Sequence, residues 1–274
     1  FFIVQLSHLY VTTEKNHSFD YMDICQQNDT SAFVRRYKIP SGYTTFTDAN
    51  FYDCVANNYA YWIGTVPSTG LTDAQLKELT SLECNQNSSG GSEIWTVRMV
   101  SSHSGTHEPN SFDIANTKGL EKMTNLENLN LDYNNKISQI NLSSNTKLEY
   151  IDLNYNSLTS LDISNNTLLK SVNASWNKLS SITMQGNDAL QSLDLHGNSF
   201  TTFNGAGAPA LKTLDLGTSG NCSQSENGIT SINISDNRSL EEIIINYVNL
   251  PLLDASNNPA LNTIDACYNS PANP

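Results

Sequence analysis

The apolar positions in the second half of the chain follow one short phrase, LxxLxLxxN, that returns at a nearly fixed interval. Successive copies begin 21 or 22 residues apart, with one longer step of 29, and a related phrase occupies residues 79–87. A period of this size predicts a solenoid of about eight stacked coils. The copies begin at Leu126, Leu148, Leu169, Leu190, Leu211, Leu240 and Leu261.

Alternation inside the phrase predicts which side chains face the core. In a strand, residues two apart share a face, so Ile151 and Leu153 point inward while Tyr150, Asp152 and Asn154 point outward. A single coil cannot bury its aliphatic side chains, but stacked coils share one core and pair their strands into a parallel sheet. The asparagine that ends the phrase is predicted to satisfy backbone groups in a turn. These asparagines are Asn134, Asn156, Asn177, Asn198 and Asn269.

The first 78 residues do not repeat and are predicted to close the open end of the core. Within residues 47–59, Phe51, Cys54 and Val55 fall on one side of a helix, and Thr72 is a good N-cap for a second helical segment. Residues 1–40 are predicted to be extended, with no placement assigned. The chain therefore divides into an extended segment at 1–40, a helical cap at 41–78, and a solenoid at 79–274 with insertions near 88–111 and 218–225.

These residues resemble the bacterial internalin-like leucine-rich-repeat proteins, which have a 21-residue repeat. The resemblance implies an α/β fold, namely a leucine-rich-repeat solenoid with a parallel β-sheet on its concave face and a small helical N-terminal cap. It also implies a secreted or cell-surface protein. The family cap often has an acidic loop suited to calcium, but residues 57–70 contain no acidic side chain here, so no metal site is predicted. The matching motifs lie at 39–51, 71–76, 79–87, 119–121 and 161–169.

Composition and net charge disfavour some classes of binding partner. A formal net charge of -13 disfavours nucleic acid and anionic lipid as binding partners. The sequence contains no run of about 18 apolar residues, so no membrane span is predicted. Residues 1–10 are apolar but lack a basic segment and a cleavage site, so they are interpreted as a strand of the mature chain.

The five cysteines contain no CxxC pair, so neither a zinc cluster nor a thioredoxin-type site is predicted. Cys54 and Cys84 either pair or fill core space as small apolar side chains. Cys222 and Cys267 can pair only if the second insertion folds over a coil.

Two outward columns of the repeat are candidate binding surfaces. The position before the turn asparagine is mostly aromatic, and two interpretations stay open with equal weight: a platform for sugar rings or a protein partner, or a shield for the turn edge. Its members are Tyr133, Tyr155, Trp176, Gly197, Thr218, Tyr247 and Tyr268. The second column is rich in carboxylates and amides: Asn130, Asp152, Asn173, Asp194, Asp215, Ile244 and Asp265.

Paired carboxylates are what a glycosidase requires, but a flat, solvated sheet is expected to leave their pKa values unshifted, so the chain is predicted not to be an enzyme. His103 and His107 lie beside Glu108 in a Gly- and Ser-rich loop, which favours a solvated tip over a zinc site. His196 has no acidic partner at a recognisable spacing, so no catalytic triad is predicted.

The prediction is an extracellular recognition or adhesion module that binds a protein or glycan on its concave face, with no cofactor. The alternative is a structural scaffold or self-assembling subunit that uses the C-terminal end of the solenoid, since no polar helix follows the last coil. Residues 93–100 of the first insertion alternate in a way that predicts an added strand or hairpin, and they contribute Trp95 to the proposed surface. The predicted ligand-binding residues are Tyr133, Tyr155, Trp176, Tyr247, Tyr268, Asp152, Asp194, Asp215 and Trp95.

Overall fold

The computed structural model describes residues 21–24, 35–38, 44, 46–67, 70–84, 113–217, 228–248, 250–266 and 269. Strands β1 (Tyr21–Ile24) and β2 (Arg35–Lys38) pair antiparallel. Both predicted insertions, together with Trp95, Tyr268, His103, His107, Cys222 and Cys267, lie outside the described residues.

Eight short strands form one parallel sheet, as the repeat predicts. They are β3 (Ser81–Glu83), β4 (Asn128–Asn130), β5 (Tyr150–Asp152), β7 (Ser171–Asn173), β9 (Ser192–Asp194), β11 (Thr213–Asp215), β13 (Glu242–Ile244) and β14 (Thr263–Asp265). Every copy of the phrase that begins a coil supplies one strand, and equivalent positions pair directly, as in Leu129 with Ile151 and Ile151 with Val172.

The other side of each coil also has short strands. They are β6 (Ser160–Asp162), β8 (Ser181–Thr183), β10 (Thr202–Asn204) and β12 (Ser231–Asn233). These pair in parallel as β6 with β8 and β10 with β12. The core lies between the two sides, and Leu148, Ile151 and Leu153 are buried in it, as are Leu158 and Leu161 from the return side. The predicted leucine-rich-repeat solenoid is confirmed.

The asparagines that end the phrase form a ladder along the solenoid, as predicted. The Nδ2 group of Asn177 donates to the carbonyl of Leu153 in the preceding coil at 2.9 Å and to carbonyls of its own turn. Its Oδ1 accepts the amide of Leu158 at 2.9 Å. Each of these side chains therefore joins two coils through backbone groups that water does not reach.

A second asparagine ladder, on the return side, was missed from the sequence. Its members are Asn145, Asn166, Asn187, Asn237 and Asn258, all buried. The Nδ2 group of Asn166 donates to the carbonyls of Leu142 and Asn145 at 3.0 and 2.8 Å. Ala208 occupies this position in its coil and breaks the ladder. The signal for this ladder in the sequence is the spacing of 21 residues between Asn145, Asn166 and Asn187.

The predicted cap covers the first coil. Helix α1 (Ala49–Trp62) begins after Asp48, whose side chain accepts the amides of Asn50 and Phe51, and it buries Phe51, Cys54 and Val55 as predicted. Helix α2 (Asp73–Leu76) begins with a capping box between Thr72 and Gln75. It is only 4 residues long. A short 3-10 helix at Leu120–Lys122 precedes β4.

The cap also satisfies the exposed edge of β3. Asn58 on α1 donates to the Glu83 carbonyl at 3.0 Å and accepts the Glu83 amide at 3.1 Å, so it replaces the bonds of a missing neighbouring strand. Of the two alternatives for Cys54 and Cys84, the structure shows the disulfide, with Cα atoms 5.7 Å apart. Closing a loop of this size stabilises the fold by about 3.5 kcal/mol on chain-entropy grounds.

Candidate functional site

The outward surface of the eight-stranded sheet, called the sheet face here, is built from columns of equivalent residues. The strand register places Asn130 beside Asp152, Asn173 beside Asp194, and so on, which confirms the column geometry expected from the repeat. Glu83 on β3 pairs in register with Asn130 and begins this column. Glu83 was not predicted as a member of this column, although it holds the equivalent position in the phrase at residues 79–87.

Five acids and amides of this column have a local structural role: Asn130, Asp152, Asn173, Asp194 and Asp215. In each, the Oδ1 atom accepts the backbone amide two residues later, for example at 3.1 Å from Asn154 to Asp152 and 2.8 Å from Gly217 to Asp215. Asp and Asn both occur in the column because this turn needs only an acceptor. The turn itself therefore does not require the negative charge of the aspartates.

Four carboxyl groups of the sheet face, those of Glu83, Asp132, Asp152 and Asp194, have raised pKa values, so the expectation of unshifted acids was wrong for them. Burial raises the pKa of Glu83 to about 7. Burial, together with the charges of Asp152 and Glu83, raises the pKa of Asp132 to about 7. Burial also raises the pKa of Asp152 and Asp194. Adjacent parallel strands hold these side chains about 4.8 Å apart, where neighbouring residues exclude water that an isolated surface acid would keep.

Beside the acids, the aromatic column forms a stack. The ring centroids of Tyr133 and Tyr155 lie 4.3 Å apart with planes inclined by 16°, and those of Tyr155 and Trp176 lie 5.5 Å apart with planes inclined by 13°. All three residues have a left-handed backbone, with φ between 50° and 56°. A bulky residue in this region is strained by about 1 to 3 kcal/mol, which the stacking and ring burial offset in part.

Gly197 interrupts the stack at the same left-handed turn position, with φ of 64°. The indole of Trp176 lies over it, so that a Cβ on Gly197 would come within 2.9 Å of the indole Cε3 atom. Tyr247 takes up the column again with φ of 59°. Tyr133, Tyr155 and Trp176 therefore form one stack, which Gly197 separates from Tyr247, and both interpretations of the column stay predictions.

His196 has an acidic neighbour, which corrects the sequence interpretation. Its Nδ1 atom lies 3.6 Å from Asp215 Oδ1, and its ring meets the Trp176 ring edge to face at a centroid distance of 5.2 Å. The partner was missed because it lies one coil away, at a spacing that no local motif records. Among the described residues, no group of three or more His, Cys, Asp or Glu side chains has the arrangement of a metal site.

Comparison with known proteins gives similarity of fold only. No family model and no curated protein sequence matches the chain. A Listeria monocytogenes internalin, InlF, is 18% identical over 81% of this chain and 63% of its own, with a TM-score of 0.49. A leucine-rich-repeat protein of Leptospira interrogans is 23% identical over 53% of this chain and 38% of its own, with a TM-score of 0.42.

A second Listeria protein, internalin C2, is 16% identical over 81% of this chain and 94% of its own, with a TM-score of 0.45. The chain thus spans less than two thirds of the first two proteins. At these identities the function has to be argued from the sheet face.

Proposed function

We propose that this leucine-rich-repeat solenoid is an extracellular recognition module that binds a protein through its sheet face. The observation that carries the proposal is the row of stacked rings directly beside a row of desolvated acids, both mounted on a rigid sheet. Large aromatic side chains lose little entropy on binding and dominate protein hot spots. The acids supply acceptors and charge for a polar or cationic partner.

A protein fits this surface better than a glycan, the other ligand predicted from the sequence. A sugar ring packs on the flat face of an aromatic ring, but Tyr155 has Tyr133 on one face and Trp176 on the other. What the stack offers outward is ring edges and hydroxyl groups, which suit a mixed protein surface. Tyr247, Asp194 and Asp215 extend the proposed surface; Tyr268 and Trp95 belong to it on sequence grounds.

Binding is proposed rather than catalysis. The raised pKa values of the sheet-face acids resemble those of general acids, but Asp152 and Asp194 are fixed by the amides of their own turns, which leaves their charge to position a ligand. The net charge of -13 disfavours nucleic acid as the ligand.

Secretion or surface display is proposed for the location. The disulfide between Cys54 and Cys84 favours an oxidising compartment. None of the helices in the described residues combines the length and apolar character of a membrane span.

The aromatic stack is tested by Tyr155→Ala and Trp176→Ala. Once protein and glycan arrays have identified a partner, each substitution is expected to weaken binding at least tenfold, about 1.4 kcal/mol, measured by calorimetry. Tyr61→Ala is the matched control because Tyr61, on α1, is 57% exposed and lies outside the sheet face. If the two variants lose stability on urea unfolding but keep the wild-type affinity, the rings only shield the turns.

A second candidate, self-assembly, is favoured by two exposed apolar side chains, Ile264 and Leu252. Ile264 on β14 is 53% exposed, although its register partner Ile243 is fully buried, and Leu252 nearby in the chain is 77% exposed. If copies associate through these side chains, sedimentation velocity should show a concentration-dependent dimer that Ile264→Lys abolishes, because a charge cannot be buried unpaired. A monomer at all concentrations rejects the scaffold function.

A further inference from the structure

Three carboxyl groups lie together at the N-terminal end of the sheet face, on three consecutive strands. Glu83 ends β3, Asp132 follows β4 and Asp152 ends β5, and the charges of both Glu83 and Asp152 act on Asp132. Glu83 and Asp132 are each only 8% exposed. The Oδ1 atom of Asp132 is buried and has no hydrogen-bond partner in the part of the chain that the structure describes.

No lysine or arginine of the described residues forms an ion pair with these three acids. The lysines that do form ion pairs use acids elsewhere: Lys122 with Asp73, Lys136 with Asp113, Lys170 with Glu149, and Lys212 with Glu241. Buried carboxylates without a counter-charge are costly, and a buried acceptor without a donor adds to the cost. A cation that supplies donors would relieve both.

The neighbouring rings indicate which cation fits. Tyr133 stacks on Tyr155. Burial and the contact with Tyr155 raise the pKa of Tyr133, and the negative charges of Asp132 and Asp152 raise it further. Acids bordered by aromatic rings favour a guanidinium, which is planar, stacks on rings and carries five donors in a fixed fork. An ammonium ion is a compact point charge and gains less from acceptors spread over three strands.

The acids have different parts in such a site. Asp152 Oδ1 already accepts from the amide and the side chain of Asn154, at 3.1 and 2.9 Å, so this residue contributes mainly charge. Asp132 offers an oxygen that has no donor among the described residues. The backbone of Glu83 is fixed by Asn58, which accepts its amide and donates to its carbonyl.

We propose that Glu83, Asp132 and Asp152, bordered by Tyr133 and Tyr155, form a binding site for an arginine side chain of the protein partner. The inference rests on the proposed function and names the chemistry that one end of the sheet face recognises. Asp132 accepts a guanidinium N–H, Glu83 and Asp152 supply the compensating charge, and the tyrosine rings border the guanidinium plane.

The test is a titration of the whole chain with N-acetyl-L-arginine amide at pH 8, followed by NMR of backbone amides. Shifts are expected at residues 130–133 and 150–155. The citrulline counterpart, which has the same shape without the charge, should bind at least tenfold more weakly, and the lysine counterpart should also bind more weakly. Lowering the pH to 5.5 should weaken arginine binding roughly 30-fold if one proton with a pKa near 7 must leave. The charged groups facing Asp132 from the adjacent strands are Glu83 and Asp152, and both titrate in the same direction.

Variants assign the site. Asp132→Asn should weaken arginine binding at least tenfold, whereas Asp162→Asn should leave it unchanged. Asp162 is an exposed acid on β6 that caps the Ser164 turn through Oδ1, and Asn204 makes the same turn contact with Ala206. The control thus removes one charge at a position where asparagine is already accommodated elsewhere in the repeat.

Three results would overturn the inference: equal binding of arginine and citrulline, wild-type affinity in Asp132→Asn, or no arginine binding at all. Arg98 of the same chain lies outside the described residues. If added arginine binds only to the Arg98→Ala variant, the site is filled by Arg98 itself rather than by a partner, and the inference is equally overturned. Failure of this site leaves the proposed function standing if the whole partner still depends on Trp176 and Tyr155, so the two failures are distinguishable.

Discussion

Asn177→Asp is expected to lower the free energy of unfolding by at least about 5 kcal/mol at pH 7. The substitution keeps the shape of the side chain but replaces its Nδ2 donor with a carboxylate oxygen. That oxygen would face the carbonyls of Leu153, Ala174 and Ser175, now 2.9 to 3.2 Å from Nδ2, at a buried site. Repulsion, lost hydrogen bonds and desolvation of the charge all act in the same direction.

The effect is measured by urea unfolding monitored by circular dichroism. Below about pH 4 the introduced carboxyl group is protonated and regains one donor, so part of the loss relative to wild type should be recovered there. Asn141→Asp is the matched control, since Asn141 is exposed and uses only its Oδ1 atom to accept the Ser143 amide. A similar loss in both variants would show that the ladder has no special role.

Asp132→Asn is expected to stabilise the protein at pH 8 by about 4 kcal/mol, the equivalent of roughly three pKa units. The folded pKa of Asp132 is about 7, above its unfolded value of about 3.9. Because the folded value is the higher, the contribution of this group is fully present below the unfolded pKa and is lost as the pH rises through 7. Asparagine removes the charge. The equivalent position of the next coil is already an asparagine, Asn154, so the repeat accommodates this side chain there.

The measurement is the free energy of unfolding of both proteins from pH 4 to pH 8. The curves should coincide below about pH 4, separate between about pH 4 and pH 7, and run parallel above that range, with wild type the less stable. Glu83 keeps its own pH dependence in the variant, so the curve flattens only in part. Asp162→Asn serves as the control because hydrogen bonds from Ser164 lower the pKa of Asp162, the opposite direction. Parallel curves for wild type and Asp132→Asn over the whole range would refute the assigned burial.

The fold could be predicted because its signal repeats. The positions of Leu148, Ile151 and Leu153 are apolar in every coil. Seven further copies of the phrase therefore support the assignment of these positions to the core. The Asn177 ladder was predictable for the same reason, since a polar residue at a fixed place before a turn has few other roles. The cap helices were predictable from ordinary local signals, namely apolar spacing around Cys54 and the N-cap at Thr72.

The chemistry of the sheet face was less predictable because it depends on neighbours one coil away. His196 contacts Asp215, and Asp132 lies close to Glu83. In each pair the two residues lie on neighbouring coils, so they are far apart in the sequence. Their desolvation depends on how closely adjacent strands pack the side chains, which the pattern of strands alone does not give. The left-handed backbone at Tyr155 was equally hidden, because glycine rather than tyrosine is the usual sign of it.

The stacked coils have a consequence for how the sheet face can change. Each coil contacts only the coil before and the coil after it, through the same asparagine bonds, so one 21-residue unit can be gained or lost without disturbing the packing of distant coils. Loss of the coil that begins at Leu148 would bring Trp176 against Tyr133 and remove Asp152 from the acidic end. Gain or loss of a single coil can therefore change the arrangement of rings and acids on the sheet face, while the cap and the disulfide stay as they are.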